Sequence, residues 1–198
     1  MLLGITGGIA SGKSTFRRLL AEKHNFAVFD ADQYVHEIHA KDHSIIAEIR
    51  AHFGDTTLAP DGGINRPALR EAVFTDVKQR KQLEEIIHPA VRHRWQLLRQ
   101  TCIAENKDFL AEIPLLFETN AEIFFDATIL VAASTSVQQV RLAARGLNPQ
   151  IAQAMLASQC PMGEKEKRAT VVIWNDGTLA ELEHQARLLT ERLFPSPS

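Results

Sequence analysis

The strongest chemical signal is a glycine-rich segment near the amino terminus. Residues 7–14 read GGIASGKS and match the pattern G-x-x-x-x-G-K-S/T. Glycines let the backbone turn its N–H groups towards an anion, and a helix that starts near the lysine adds its positive dipole end. In this pattern Lys13 reaches the outer phosphates of a nucleoside triphosphate, and the Ser14 hydroxyl holds magnesium. We therefore predict a site for ATP and Mg²⁺ rather than a chance glycine turn.

The loop does not specify a reaction by itself, because motors, GTPases and kinases share it. A GTPase would normally read guanine through N-K-x-D, and the nearest segment here, residues 106–109, reads NKDF. An ATPase motor would normally be longer than 198 residues and would carry partner-coupling domains. The sequence therefore favours a kinase that phosphorylates a metabolite.

Two aspartates, Asp30 and Asp32, follow a short apolar run that predicts a strand. Open parallel sheets bind ligands at the edge where their strands end. Phosphoryl transfer to an alcohol needs a carboxylate that orients the hydroxyl and accepts its proton. Side chains two apart at a strand end point in different directions, so we expect only one of them to face the acceptor. We assign Asp30 to capping of the next helix and Asp32 to the acceptor.

Three further features each have two interpretations. Arg141 and Arg145 share one face of a predicted helix, where they could close over ATP and neutralise the transferring phosphoryl group, or could be solvated. His88 precedes Pro89 and either forms a local structural hydrogen bond or contacts the acceptor. The lysines of the basic run at residues 165–168 are interpreted as a solvated face.

Three histidines, His36, His39 and His43, are spaced three and four apart, as metal ligands on one helical face would be. The pattern contains neither a cysteine nor a carboxylate, so we do not predict a metal site there.

Strands that alternate with helices predict a parallel sheet covered on both faces, the α/β fold class. Short apolar runs predict strands at residues 1–6, 26–29, 109–113, 127–133 and 169–174. Helical patterns occupy residues 13–24, 33–53, 68–105, 137–146, 149–160 and 179–193, with a break at His88-Pro89. We predict a phosphate-binding core at 1–40 and 105–198, with a helical lid at about 137–168, and a helical acceptor-binding insertion at 41–104.

Composition excludes several classes of protein. The net charge of −2 gives no general attraction to nucleic acid or to an anionic membrane. No apolar stretch approaches the roughly 20 residues that span a bilayer. The two cysteines lack metal-site spacing and suit a reducing compartment. We expect a cytoplasmic protein, favour a monomer, and expect no nucleic-acid or membrane partner.

Nearly the whole chain resembles the dephospho-coenzyme A kinases. The segments that carry the resemblance are, in order, GITGGIASGKST, FDAD, GINRPALREAVF, IIHPAVR, EIPLLFE, QQVRLAAR, ASQ and VIWNDG. That family joins a phosphate-loop core to a helical coenzyme-A-binding region and a lid. It uses ATP to phosphorylate the ribose 3′-hydroxyl of dephospho-coenzyme A, the last step of coenzyme A biosynthesis.

The resemblance implies roles for particular residues. Asp32 is similar in position to the catalytic base of the family. Lys13 and Arg141 are similar in position to its catalytic cations. The residues that match the ATP and magnesium site are Gly8, Ala10, Ser11, Gly12, Lys13, Ser14, Thr15, Arg145, Asn175 and Gly177. Besides Asp32, those that match the acceptor pocket are Arg66, His88, Pro114, Leu115 and Leu116.

Two positions depart from the family pattern. Ala10 stands where the family often has glycine, and we expect alanine to be tolerated there provided that its φ is negative. Trp174 stands where many relatives have aspartate, so only the Asn-x-Gly part of that turn supports a role beside adenine. Two other functions remain open: a kinase of another small acceptor, such as a nucleoside or nucleoside monophosphate, and a nucleotide-sensing regulator without turnover.

Overall fold

The computed structural model describes residues 1–74 and 76–146, residues 150, 153 and 156, and residues 159–195. The strands in this part of the chain are β1 (Leu2–Gly7), β2 (Ala27–Asp30), β3 (Phe109–Glu112), β4 (Ala127–Ala132) and β5 (Val171–Trp174). They form one sheet in the order β2-β3-β1-β4-β5. Strand β1 pairs in parallel with β3 and β4, and β4 pairs in parallel with β5. The predicted α/β fold with a parallel sheet is confirmed.

Helices lie between most of these strands, and one helix follows the last strand. The described ones are α1 (Lys13–Lys23), α2 (Ala31–Lys41), α3 (His43–Phe53), α4 (Arg66–Phe74), α5 (Val77–Ala104), α6 (Thr135–Ala144), α7 (Met162–Arg168) and α8 (Leu179–Leu193). Short 3₁₀ turns lie at Asp55–Thr57 and Ala121–Phe124. None of the described helices is long and apolar enough to cross a bilayer.

The core explains why the central strands read as continuous apolar runs. Every residue of β1 and of β4 is buried, as expected for parallel strands with both faces covered. Leu3, Ile5 and Ile129 pack in one cluster with Phe16 of α1 and Leu182 of α8. Burying such side chains stabilises the sheet by about 1.5–3 kcal/mol each. This packing fixes the end of β1, from which the phosphate-binding loop starts.

The chain divides into two compact units. One comprises Met1–Phe29 and Arg99–Ser198, and the other comprises Asp30–Leu98. The second unit contains α2, α3, α4 and most of α5, and one isolated bridge joins Leu58 to Ile64. The predicted role of residues 41–104 as an acceptor-binding insertion stays a prediction.

The helices differ in part from those that the sequence predicted. The predicted break at His88-Pro89 is wrong, because α5 runs through Pro89 as one helix of 28 residues. A proline removes a single backbone hydrogen bond, and the remaining turns of so long a helix outweigh that loss. Helix α7, Met162–Arg168, lies within the range predicted for the helical lid but outside the individual helical patterns given above. The helix predicted at residues 149–160 lies largely outside the described residues.

Candidate active site

Side chains from distant parts of the chain donate hydrogen bonds to the carbonyl groups of the loop between β1 and α1. Arg141 donates from one guanidinium nitrogen to the carbonyls of Ala10 and Ser11, both at 3.2 Å. The buried Asn175 side chain donates to the same Ser11 carbonyl at 2.7 Å, and Arg141 in turn donates to the Asn175 carbonyl at 2.9 Å. Fixing these two carbonyls also fixes the orientation of the adjoining N–H groups, as a phosphate-binding loop requires.

A further carbonyl in the same loop is bound by a residue that the sequence did not suggest. The Gln138 amide donates to the Ile9 carbonyl at 2.7 Å, and the Ile9 N–H donates to the Gln159 side-chain oxygen at 3.0 Å. The QQVRLAAR and ASQ segments contain these glutamines. Their sequence offers no signal for the contact, because an amide side chain on a helix usually faces solvent.

Two loop residues have left-handed backbone conformations. Gly12, which caps α1, has φ 95°, and a Cβ there would lie 2.2 Å from the Asn175 side-chain nitrogen. Glycine is therefore required at this position. Ala10 has φ 56°, so the expectation of a negative φ is wrong. This conformation costs an alanine about 1–2 kcal/mol, partly offset because Ala10 is buried against Leu142.

Lys13 is the first residue of α1 and is 9% exposed. Its ammonium group donates to the Gly8 carbonyl at 2.9 Å. The side chain is thus folded back over the first half of the loop, where a cation meets phosphate oxygens. Thr15 follows in the first turn of α1 and is half-buried.

Glu112, at the carboxyl end of β3, is a candidate site residue that the sequence reasoning missed. Its carboxylate is 1% exposed. One oxygen accepts a hydrogen bond from the Ser14 hydroxyl at 2.7 Å, and the other pairs with Arg17 at 2.8 Å. The signal was available, because Glu112 ends a buried strand, and open parallel sheets bind ligands at the edge where their strands end.

The turn between β5 and α8, near the carboxyl end of the chain, contacts the phosphate loop through Asn175. Asn175 bonds to Ser11 as described above, and the Asp176 carboxylate accepts from the Ser134 N–H at 2.7 Å. A Cβ on Gly177 would lie 2.1 Å from Glu181, whose carboxylate belongs to the capping box of α8. Trp174, the departure from the family pattern, is 49% exposed.

The other predicted site residues in the unit formed by Met1–Phe29 and Arg99–Ser198 differ in solvent exposure. Arg145 is exposed at the end of α6. Pro114 and Leu115 are half-buried after β3, and the Pro114 carbonyl accepts from the Thr6 hydroxyl at 3.0 Å. Leu116 is fully buried and packs in the core. Their nucleotide and acceptor roles stay predictions.

The expectation of solvated lysines on α7 is wrong for Lys165. That side chain is 1% exposed, and its ammonium group lies 2.8 Å from the Glu118 carboxylate. A buried ammonium group needs an anionic partner, and the ion pair supplies it. Lys167 is exposed as predicted.

Asp32, Arg66 and His88, three of the residues predicted for the acceptor, belong to the unit Asp30–Leu98. Asp30 accepts a hydrogen bond from the Gln33 N–H at 3.0 Å and caps α2, which confirms its structural role. Asp32 is exposed in the first turn of that helix. Arg66 donates to His36 at 3.1 Å. Partial burial and the charge of Arg70 lower the pKa of Arg66, and the negative charge of Asp32 opposes that shift.

His39 lies on the buried side of α2. It is 6% exposed, and neither ring nitrogen has a hydrogen-bond partner within the described residues. Burial, with the nearby charges of Arg66 and His36, lowers its pKa from 6.5 to about 4. No group of three potential metal-binding side chains occurs in the described parts of the chain. His88 is half-buried in α5, and burial lowers its pKa as well.

Comparison with known proteins adds independent information. A family model described as dephospho-CoA kinase matches residues 1–181. A dephospho-CoA kinase from Geobacter sulfurreducens is 40% identical over 199 residues, covering 98% of this chain and 99% of the relative. The crystal structure of a Thermus thermophilus protein is similar with TM-score 0.76 and 34% identity, covering 98% and 97% of the two chains. Dephospho-CoA kinase from Campylobacter jejuni superposes with TM-score 0.65 and 27% identity, covering 97% and 96%.

Proposed function

Because the chain belongs to the dephospho-CoA kinase family, we propose that it transfers the terminal phosphoryl group of ATP to the ribose 3′-hydroxyl of dephospho-CoA. The products are ADP and coenzyme A. The observation that carries the proposal is the family match over residues 1–181, which runs through both compact units and not through the phosphate loop alone.

The loop binds the triphosphate in this proposal. N–H groups of the loop and of the first turn of α1 surround the phosphates, apart from those of Ile9 and Ser11, which donate to Gln159 and to the Gly8 carbonyl. Lys13 neutralises the charge on the outer phosphates. Arg141 holds the loop carbonyls and stabilises charge on the transferring group. Arg145, Asn175 and Gly177 contact the rest of the nucleotide.

Ser14 and Glu112 fit a magnesium ion, because hydroxyl and carboxylate oxygens are the ligands that this ion prefers. One Glu112 oxygen pairs with Arg17, and the other accepts from the Ser14 hydroxyl, so the second oxygen lies beside the group that would hold the ion. When bound, the ion would neutralise charge on the β- and γ-phosphate oxygens.

Asp32 acts as the general base. It orients the 3′-hydroxyl and takes its proton as the oxygen bonds to the γ-phosphorus, while the bond from that phosphorus to the bridging oxygen of ADP breaks. The cation of Arg66 lies close enough to interact with the Asp32 charge. Arg66, His88 and residues 114–116 bind the acceptor in this proposal.

The test is ADP release measured by a coupled enzyme assay, with and without acceptor. The proposal predicts rapid release only when dephospho-CoA is present. Rapid release with a nucleoside or nucleoside monophosphate instead would identify a kinase of another acceptor. ATP binding without release for any acceptor would identify a nucleotide-sensing regulator.

We further propose that the protein acts in the cytoplasm as a monomer, without a nucleic-acid or membrane partner. The net charge of −2 supports the absence of a general attraction to polyanions. Light scattering behind size-exclusion chromatography gives the mass of the species in solution, and a dimer would contradict this part of the proposal.

A further inference from the structure

Side chains bind both backbone groups of Ile9 in the phosphate loop. The Gln138 amide of α6 donates to the Ile9 carbonyl at 2.7 Å, and the Gln159 side-chain oxygen accepts from the Ile9 N–H at 3.0 Å. One glutamine thus supplies a donor and the other an acceptor to the same residue. Neither belongs to the residues assigned above to nucleotide, metal or acceptor.

Gln138 is packed closely against the loop. Its side chain is 5% exposed, and a Cβ built on Gly8 would lie 2.3 Å from its amide nitrogen. Arg141 and Leu142 follow three and four positions later, so all three side chains lie on the same face of α6. Gln138 and Arg141, on this one face of α6, therefore donate to three consecutive loop carbonyls, those of residues 9, 10 and 11.

The Ile9 carbonyl belongs to the same rigid peptide plane as the N–H of Ala10. Fixing that plane restricts the rotation that sets φ of Ala10, which is 56°. Without this restraint an alanine favours a negative φ, because the left-handed conformation is unfavourable for it. Arg141 and Leu142, which contact Ala10 as well, oppose that change only in part. The peptide groups after Ala10 would then change orientation, and with them the N–H groups that start α1.

We propose that Gln138 is a positioning residue that holds Ala10 in its left-handed conformation, and that Gln159 fixes the preceding peptide. The pair keeps the phosphate loop in its anion-binding shape before ATP arrives. This inference deepens the proposed function with respect to ATP only, and it does not depend on the identity of the acceptor.

A double-mutant cycle on the full chain tests this proposal through ATP affinity, measured by calorimetry. Gln138→Met removes the amide donor and keeps the length of the side chain. We expect it to weaken ATP binding by about 3- to 10-fold, the range that follows from losing one hydrogen bond. Glycine accepts positive φ without strain. In an Ala10→Gly background we therefore expect Gln138→Met to weaken ATP binding by about twofold or less.

The matched control is Gln139→Met, which makes the same replacement at the exposed neighbouring position of α6. It should leave ATP affinity unchanged. Equal losses from Gln138→Met in the alanine and glycine backgrounds would overturn the proposal, as would a loss no larger than that of the control. Circular dichroism checks folding. If Gln138→Met does not fold, the same cycle with Gln138→Glu, which replaces the amide donor by a carboxylate oxygen at the same length, decides between the same two outcomes.

Because calorimetry needs no acceptor, the outcome is separable from a failure of the proposed function. Absence of dephospho-CoA turnover with normal ATP coupling would sink only the acceptor assignment. Normal turnover without coupling between residues 10 and 138 would sink only the present proposal.

Discussion

Replacing His39 by leucine is expected to remove part of the acid sensitivity of the fold. His39 is buried with no hydrogen-bond partner for either ring nitrogen within the described residues. Protonating the ring would place a charge in that site, beside the cation of Arg66 and close to His36. The folded state therefore resists protonation, whereas the unfolded chain does not.

The size of the effect follows from the two pKa values. The pKa is about 4 in the folded state against 6.5 for an ordinary histidine. Between these values the unfolded chain binds more protons, so the free energy of unfolding falls as the pH falls. Linkage gives a loss of about 2 kcal/mol between pH 7.5 and pH 5, and a limit of about 3 kcal/mol below pH 4.

Urea unfolding of the parent and of His39→Leu at about pH 7.5 and pH 5 measures this loss. We expect the variant to gain about 2 kcal/mol relative to the parent on acidification. His93→Leu, at an exposed position of α5, is the control and should follow the parent. Parallel pH dependences for the parent and His39→Leu would refute the reasoning.

Three further predictions concern the site. Asp32→Asn should lower kcat by about 10²–10⁴-fold with little change in ATP affinity, while Asp30→Asn should cost about 1 kcal/mol or less of stability and keep activity; the reverse pattern of kcat values would place the base on the other aspartate. Arg141→Ala should lower kcat by roughly 10³-fold or more, and a change within about twofold would leave it a loop contact only. Glu112→Gln should raise the magnesium concentration needed for half-maximal rate by about tenfold or more, which a magnesium titration of the initial rate measures; an unchanged midpoint would remove Glu112 from the metal site.

The sequence predicts the parallel sheet well, because its central strands β1, β3 and β4 are fully buried and read as apolar runs. The closing helix was predicted at its observed limits, Leu179–Leu193. The phosphate loop was also predictable, since its glycines, lysine and serine must follow one another along the chain. Local pattern is sufficient in each of these cases.

Features that depend on distant parts of the chain could not be predicted in this way. Glu112 contacts Ser14 from 98 positions away, and Gln138 contacts Ile9 from 129 positions away. The buried ion pair of Lys165 with Glu118 follows from packing that a run of charged residues does not reveal. The left-handed Ala10 is a similar case, because side chains from α6 contact both its carbonyl and its methyl group.

The most direct test of the account is the identity of the phosphorylated product. We expect mass spectrometry and ³¹P NMR of a reaction with ATP and dephospho-CoA to show one new phosphate, on the ribose 3′ position. Turnover of adenosine, AMP, CMP or uridine should be far slower under the same conditions. Comparable turnover of any of these, or phosphate at another position of dephospho-CoA, would contradict the account.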